Sequence, residues 1–314
     1  MFDLQSIRSS LSDTLQKRMV GGHESLLYLA SHPAAFLLAE LTRRMGGGVT
    51  VPLLGYVVND PNIAKQILLA DETFTKTGPG SSRVIITQVA GENVLLNMDG
   101  PGHVQLRRWL ADSFSRRSLE ESTARILGEA TSTLTGRLKR GERVDLVQFI
   151  HPLSTKVMCR LLGISAWLGT NDELYARMFD EVKDMISVVG LATRRLSDSR
   201  VRVAKRHLSR LVEPARAAHE AGAILPDSLI DRLVGRGLRF DQIQALVAVL
   251  LMTGPESVST ALPRIVALVI DSGQFARLRN DRSLVPAAVD EGLRYTVPSP
   301  VMVRSVAADY QVGG

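Results

Sequence analysis

The chain has 314 residues, 45% hydrophobic and 22% charged, with a formal net charge of +6 at pH 7. These proportions suit a globular protein with a sizeable core and exclude a disordered chain. One cysteine, Cys159, excludes a disulfide framework and fits a reducing, cytoplasmic setting, and six scattered histidines offer no metal-ligand spacing.

In chain order, the opening MFDLQSIRSSLSDTLQKRM has no cationic start followed by an apolar signal core. LLYLASHPAAFLLAEL is too short to span a bilayer, so no transmembrane anchor is expected. PAAFLLAELTRRMGGG reads as an amphipathic helix closed by glycines. VTVPLLGYVVND switches to strand character, with Gly55 suited to the hairpin turn. Asp60-Pro61 then starts a helix by side-chain capping and a proline that needs no N–H there.

Residues 75–100 are rich in Gly, Ser, Asn and Asp and predict a long loop with one short helix. Helices follow from Pro101 to about residue 295. Asp241 with Gln244 reads as a capping box, Ser283 as a later cap, and VPSP at 297–300 as a stop. The closing VMVRSVAADYQVGG has strand character and ends on Gly313-Gly314. It reads as an unpaired strand, and hence as a sequence cut short. The expected fold is mainly α with a small β-sheet region. Its expected parts are mixed α/β over about 34–100, helical over about 101–296, and the start of a β region over 297–314.

The most basic block, TRRLSDSRVRVAKRHLSRLVEPAR at 193–216, contains no aromatic residue. Nucleic-acid binders usually add stacking aromatics or a docking motif, so this block reads as a solvated helix face. An acidic protein or an anionic membrane surface is the lesser alternative.

Three constellations carry chemistry. In LLMTGPESVST, residues 250–260, Pro255 removes a helical N–H and clashes with the Leu251 carbonyl, at a cost of about 3 kcal/mol. Gly254 adds roughly 1 kcal/mol relative to alanine. The pair predicts a bend or bulge beside Glu256 and Ser257, a carboxylate and a hydroxyl suited to proton delivery. In DGPGHVQLRRWLADSF, His103 and Arg107 share a helix face and form a grip for carboxylate or phosphate. In AAVDEGLRYTVPSP, Glu291 and Arg294 are spaced for a charge-assisted pair. Each alone has a structural reading: a kinked helix, a basic face and a surface ion pair.

Taken in order, with VPLLGYVVNDPNIAKQIL before them and VRSVAADYQVGG after, these motifs resemble the cytochrome P450 family. The resemblance is to its soluble, bacterial-type haem-thiolate monooxygenases and runs from about Val49 to Gly314. It implies haem b as cofactor and insertion of one atom of O2 into a hydrophobic small molecule. Electrons would come from ferredoxin and ferredoxin reductase. It places Glu256 and Ser257 on the acid–alcohol pair that helps supply protons for dioxygen cleavage. Gly254 lies beside the cofactor, and His103, Arg107 and Arg304 hold the haem propionates. Glu291 and Arg294 match a buried structural pair.

This sequence departs from the family pattern at Pro255, Val258, Thr253 and Ser257, the last replacing the more usual threonine. Substrate entry is expected through 172–216, and Arg107, Arg108, Arg116 and Arg117 are candidates for meeting an acidic redox partner. The family's cysteine ligand follows a Phe-Gly pattern downstream of E-x-x-R, and no such pattern is present. Cys159, in the helical STKVMCRLLGIS, reads as a buried, inert cysteine rather than a metal ligand. The chain alone is therefore expected to be inactive. The alternatives are a non-redox helical module for small-molecule binding or regulation, or a nonfunctional gene remnant.

Overall fold

The computed structural model describes residues 22–31, 33–52, 55–92, 94–189, 195–296 and 301–311. In chain order the elements begin α1 (Gly22–Ser31), α2 (Pro33–Arg44), β1 (Gly48–Val51), β2 (Gly55–Val58), α3 (Pro61–Leu69) and β3 (Phe74–Thr75). Then come α4 (Arg83–Ala90), α5 (Gly100–Ala111), α6 (Arg116–Lys139), α7 (Leu146–Leu162), α8 (Ser165–Leu168) and α9 (Asp172–Val189). The last are α10 (Asp198–Glu220), α11 (Leu229–Gly235), α12 (Phe240–Asp271), α13 (Phe275–Asn280), α14 (Val285–Tyr295) and β4 (Ser305–Val306). The fold is mostly helical with little sheet, as the sequence predicts.

Two compact units emerge, one of residues 1–71, 261–300 and 309–314, the other of 72–260 and 301–308. In the first, Gly46 and Gly47 follow α2 at φ +86 and +89, where L side chains are strained. A side chain on Gly47 would also meet Asp60 Cβ at 2.6 Å. The hairpin pairs Gly48 with Val58 through Val51 with Gly55, antiparallel. Asp60 then caps α3, its carboxylate accepting from the Asn62 and Ile63 N–H groups at 2.8 and 2.9 Å. Further along, the α14 backbone lies against α12, where a side chain on Gly292 would stand 2.7 Å from Ile265 Cγ2.

The second unit holds the larger core. Asp145 caps α7 by accepting from the Gln148 N–H, and Gly163 ends it in the left-handed conformation. Cys159, Leu162, Tyr175, Ile230, Val247 and Leu251 are all buried where α7, α9, α11 and α12 meet. By length and composition α12 could cross a membrane. Its stretch from Ile243 to Leu251 instead fills this protein core.

Several local expectations need correction. Gln242, not Gln244, closes the start of α12: its side-chain oxygen accepts from the Arg239 N–H at 2.9 Å. Gln244 is engaged instead by Arg216, at 2.5 Å. Ser283 is not a cap; it donates to Asp281, which also accepts the Ser283 N–H at 3.0 Å and caps a short 3-10 turn before α14. The stop at 297–300 lies outside the described residues, and α14 ends at Tyr295. The strand near the C-terminus is paired, not lone. Phe74 pairs with Val306 and Thr75 with Ser305, and the Ala307 N–H extends the contact to the Thr73 carbonyl at 2.8 Å. Sequence reasoning missed this because the partner is two residues long and sits in a segment with loop composition.

Candidate functional site

Lys76 and Arg304 flank the β3–β4 pairing. Continuing its antiparallel register by one residue sets Lys76 opposite Arg304. Gly78 makes the approach possible, since a side chain there would collide with Ser305, whose Cβ would be 2.6 Å away. A second element brings the remaining groups. Asp99 precedes α5 but does not cap it; its carboxylate accepts the Lys76 backbone N–H at 3.0 Å and lies 3.6 Å from Lys76 Nζ. One turn into α5, His103 Nε2 is 3.2 Å from Lys76 Nζ. An ammonium can only donate, so Nε2 accepts and the imidazole carries its proton on Nδ1.

The result is a half-buried, positively biased cluster. Lys76 and Asp99 side chains are only 22% and 23% exposed. Burial pushes the Lys76 ammonium below its ordinary value, Asp99 opposes that, and Arg304 and Arg107 push it further down. Arg107 and Arg304 are therefore neighbours of one ammonium. Counted as formal charges, Lys76, Arg107 and Arg304 against Asp99 leave two positive charges in excess. Lys76 was missed in the sequence; its only signal was a lysine in an otherwise uncharged turn, TKTGPG.

The acid–alcohol pair lies on α12 of the same unit. The helix is α throughout residues 240–271, so of the expected bend or bulge at Gly254-Pro255 the bulge is absent. Neighbouring packing holds the turn: Pro255 is buried, and the bare face of Gly254 receives the methyl end of Met158 from α7. Ser257 Oγ donates to the Thr253 carbonyl at 2.7 Å, so its lone pairs remain to accept. Thr260 donates to Glu256 Oε1 at 3.1 Å. Adjacent helical residues point about 100° apart, so Glu256 and Ser257 serve different faces.

Pro255 still deprives the Leu251 carbonyl of its helical donor. Pro255→Ala restores that donor, worth about 3 kcal/mol, and removes two buried methylenes at about 0.8 kcal/mol each. Some further loss comes from a freer unfolded chain. The expected outcome in urea denaturation is a net gain of about 1 kcal/mol.

Glu291 and Arg294 do form a two-pronged pair, at 2.7 and 2.6 Å. The expectation of burial fails, however: the side chains are 63% and 68% exposed, because α14 turns its Gly292 face toward α12. Such a pair contributes little to stability. Cys159 is fully buried, and burial pushes its thiol well above the ordinary range. Arg116 and Arg117 pair with Glu120 and Glu121, each at 2.8 Å, so their charge is locally balanced.

The region 172–216 supplies α9 and α10. Glu181 joins them by accepting from Arg210 at 3.1 Å and meeting His207 Nδ1 at 2.6 Å. Gln88 of α4 fixes Leu196, donating to its carbonyl at 3.2 Å and accepting its N–H at 2.9 Å. Between α4, α10 and α12 lies an open cavity of about 400 Å³, with Val89, Leu208, Val212 and Ala248 among its walls and Lys205 and Arg216 among its polar groups. Away from the cavity, α10 carries exposed Arg202, Arg206 and Arg210, the solvated basic face that the sequence predicts.

Over 221 residues the chain is 32% identical to 6-deoxyerythronolide B hydroxylase of Saccharopolyspora erythraea, covering 69% of this chain and 52% of that protein. It is 33% identical over 234 residues to cytochrome P450-SU2 of Streptomyces griseolus, covering 72% and 54%. The chain belongs to the cytochrome P450 family. No model of a known protein family matches it. The P450 likeness extends to the fold. The crystal structure of P450BioI in complex with hexadec-9Z-enoic acid ligated acyl carrier protein matches 93% of this chain and 75% of its own, with a TM-score of 0.73 at 17% identity. The chain spans about half the length of the curated P450 relatives it matches.

P450 membership implies haem b, and the residues present fit it in part. Two excess positive charges in a half-buried cluster suit a cofactor with two carboxylates. The axial thiolate has no match: the only cysteine is locked in the core of α7 as a neutral thiol.

Proposed function

We propose that this chain is the dioxygen-side and carboxylate-gripping part of a haem monooxygenase acting on a hydrophobic small molecule. The observation that carries this reading is the clustering of His103, Arg107 and Arg304 around one half-buried lysine, with a single acid opposing them. Haem b, when bound, supplies the redox chemistry that splits dioxygen and oxidises substrate. Arg107 and Arg304 would bind the propionates as charge-assisted donors, with His103 beside them. Glu256 would hold a proton on the face of α12 that looks along the cavity, three turns from Ala245. Ser257 would accept a hydrogen bond while its own proton stays on the Thr253 carbonyl. The cavity under α10 would admit the substrate. A ferredoxin-type donor and a cytoplasmic setting accompany this reading, with exposed Arg108 as its candidate contact.

With Cys159 fully buried and burial favouring its neutral thiol, the chain by itself would not sustain monooxygenation. Reconstitution with haem and a carbon monoxide difference spectrum test both parts. The expected result is haem uptake without the thiolate-type band. A thiolate-type band would overturn the inactivity, and failure to take up haem would favour a non-redox small-molecule module using the same cavity.

A further inference from the structure

We propose that Lys76 is a third cationic partner of the cofactor's carboxylates, held ready by Asp99 and His103. This rests on reading His103, Arg107 and Arg304 as the carboxylate grip. The antiparallel register sets Lys76 directly opposite Arg304, a placement in which like charges repel unless an anion lies between them. Asp99 alone cannot satisfy the cluster: against Lys76, Arg107 and Arg304 it leaves two positive charges, and two carboxylates neutralise both. With the arginines alone, one positive charge would face two negative ones. Lys76 therefore completes the charge match. Its hold on Asp99 is loose, 3.6 Å at the ammonium, while the Asp99 grip on the Lys76 backbone is tight, at 3.0 Å. The backbone is anchored and the ammonium can swing to an incoming carboxylate without losing its position. Its donation to His103 Nε2 also sets which imidazole nitrogen keeps the proton.

The test titrates the chain and its Lys76→Met and Lys76→Arg variants with haem and with haem dimethyl ester, in which both carboxylates are masked. Circular dichroism checks that each variant is folded. Haem affinity is expected to fall about tenfold in Lys76→Met and to return to within about twofold in Lys76→Arg. Affinity for the ester should be the same in all three. If the unaltered chain binds haem no more tightly than the ester, the carboxylate grip itself is wrong and this assignment falls with it. If the unaltered chain prefers haem and Lys76→Met prefers it equally, only the role of Lys76 is overturned. An equal loss for both ligands in Lys76→Met would mark a structural lysine and overturn the assignment too.

Discussion

Replacing Arg304 with alanine is expected to weaken haem binding while leaving the haem-free chain no less stable. A hydrogen bond to a charged group contributes about 1.5–3 kcal/mol, which here corresponds to a roughly tenfold to hundredfold loss of affinity. The two effects have opposite signs for one reason. Without an anion, Arg304 is a repulsive neighbour, since it helps hold the Lys76 ammonium below its ordinary value. Its removal lets that value rise and relieves a like-charge pair across the β3–β4 register. Once carboxylates are bound, the same guanidinium is an attractive partner. Soret titration measures the affinity and urea denaturation the stability. A variant destabilised without haem, with unchanged affinity, would show that Arg304 serves the fold and not the site.

Gly163→Ala is expected to be the most damaging single methyl in the second unit. The position has φ +97, which costs an L residue about 1–2 kcal/mol. The added carbon would also collide with the Ser228 hydroxyl and stand 2.6 Å from Ser228 Cβ, and overpacking of this kind costs about 1–3 kcal/mol. Neighbouring backbone cannot yield easily, because the Gly163 carbonyl accepts the Leu225 N–H at 2.9 Å. The combined loss, about 3 kcal/mol, is a large part of a typical domain's stability. Ser228→Gly removes the obstruction and weakens the α11 cap by only a few tenths of a kcal/mol. The double variant should therefore recover the collision and keep the conformational cost. Equal stability of the single and double variants in urea would refute the steric account.

Local chemistry made much of this fold readable in advance. Asp60-Pro61, the glycines after α2 and the Gly55 turn act over a few residues, and the structure uses them as predicted. The E-x-x-R pair was readable as a pair, but its exposure was not, because burial depends on what the helix packs against. The bulge at Pro255 failed for a related reason: propensity sets the cost of a proline, whereas the Met158 contact on Gly254 comes from a helix far away in sequence. His103 and Arg107 are one helical turn apart, so their shared helix face was visible. Lys76 was not, since its meaning comes from a two-residue pairing with a strand at 305–306.

That short pairing would also dictate when the proposed anion grip comes into being. Residue 76 leaves the ribosome long before residue 304, and the helices between them can collapse around Cys159 and Val247 in the interval. Until the later strand arrives, Lys76 has Asp99 and His103 beside it but no facing guanidinium. On the proposed assignment, loading of a dicarboxylate cofactor would wait until the chain has been made past Arg304, with translation itself as the timer.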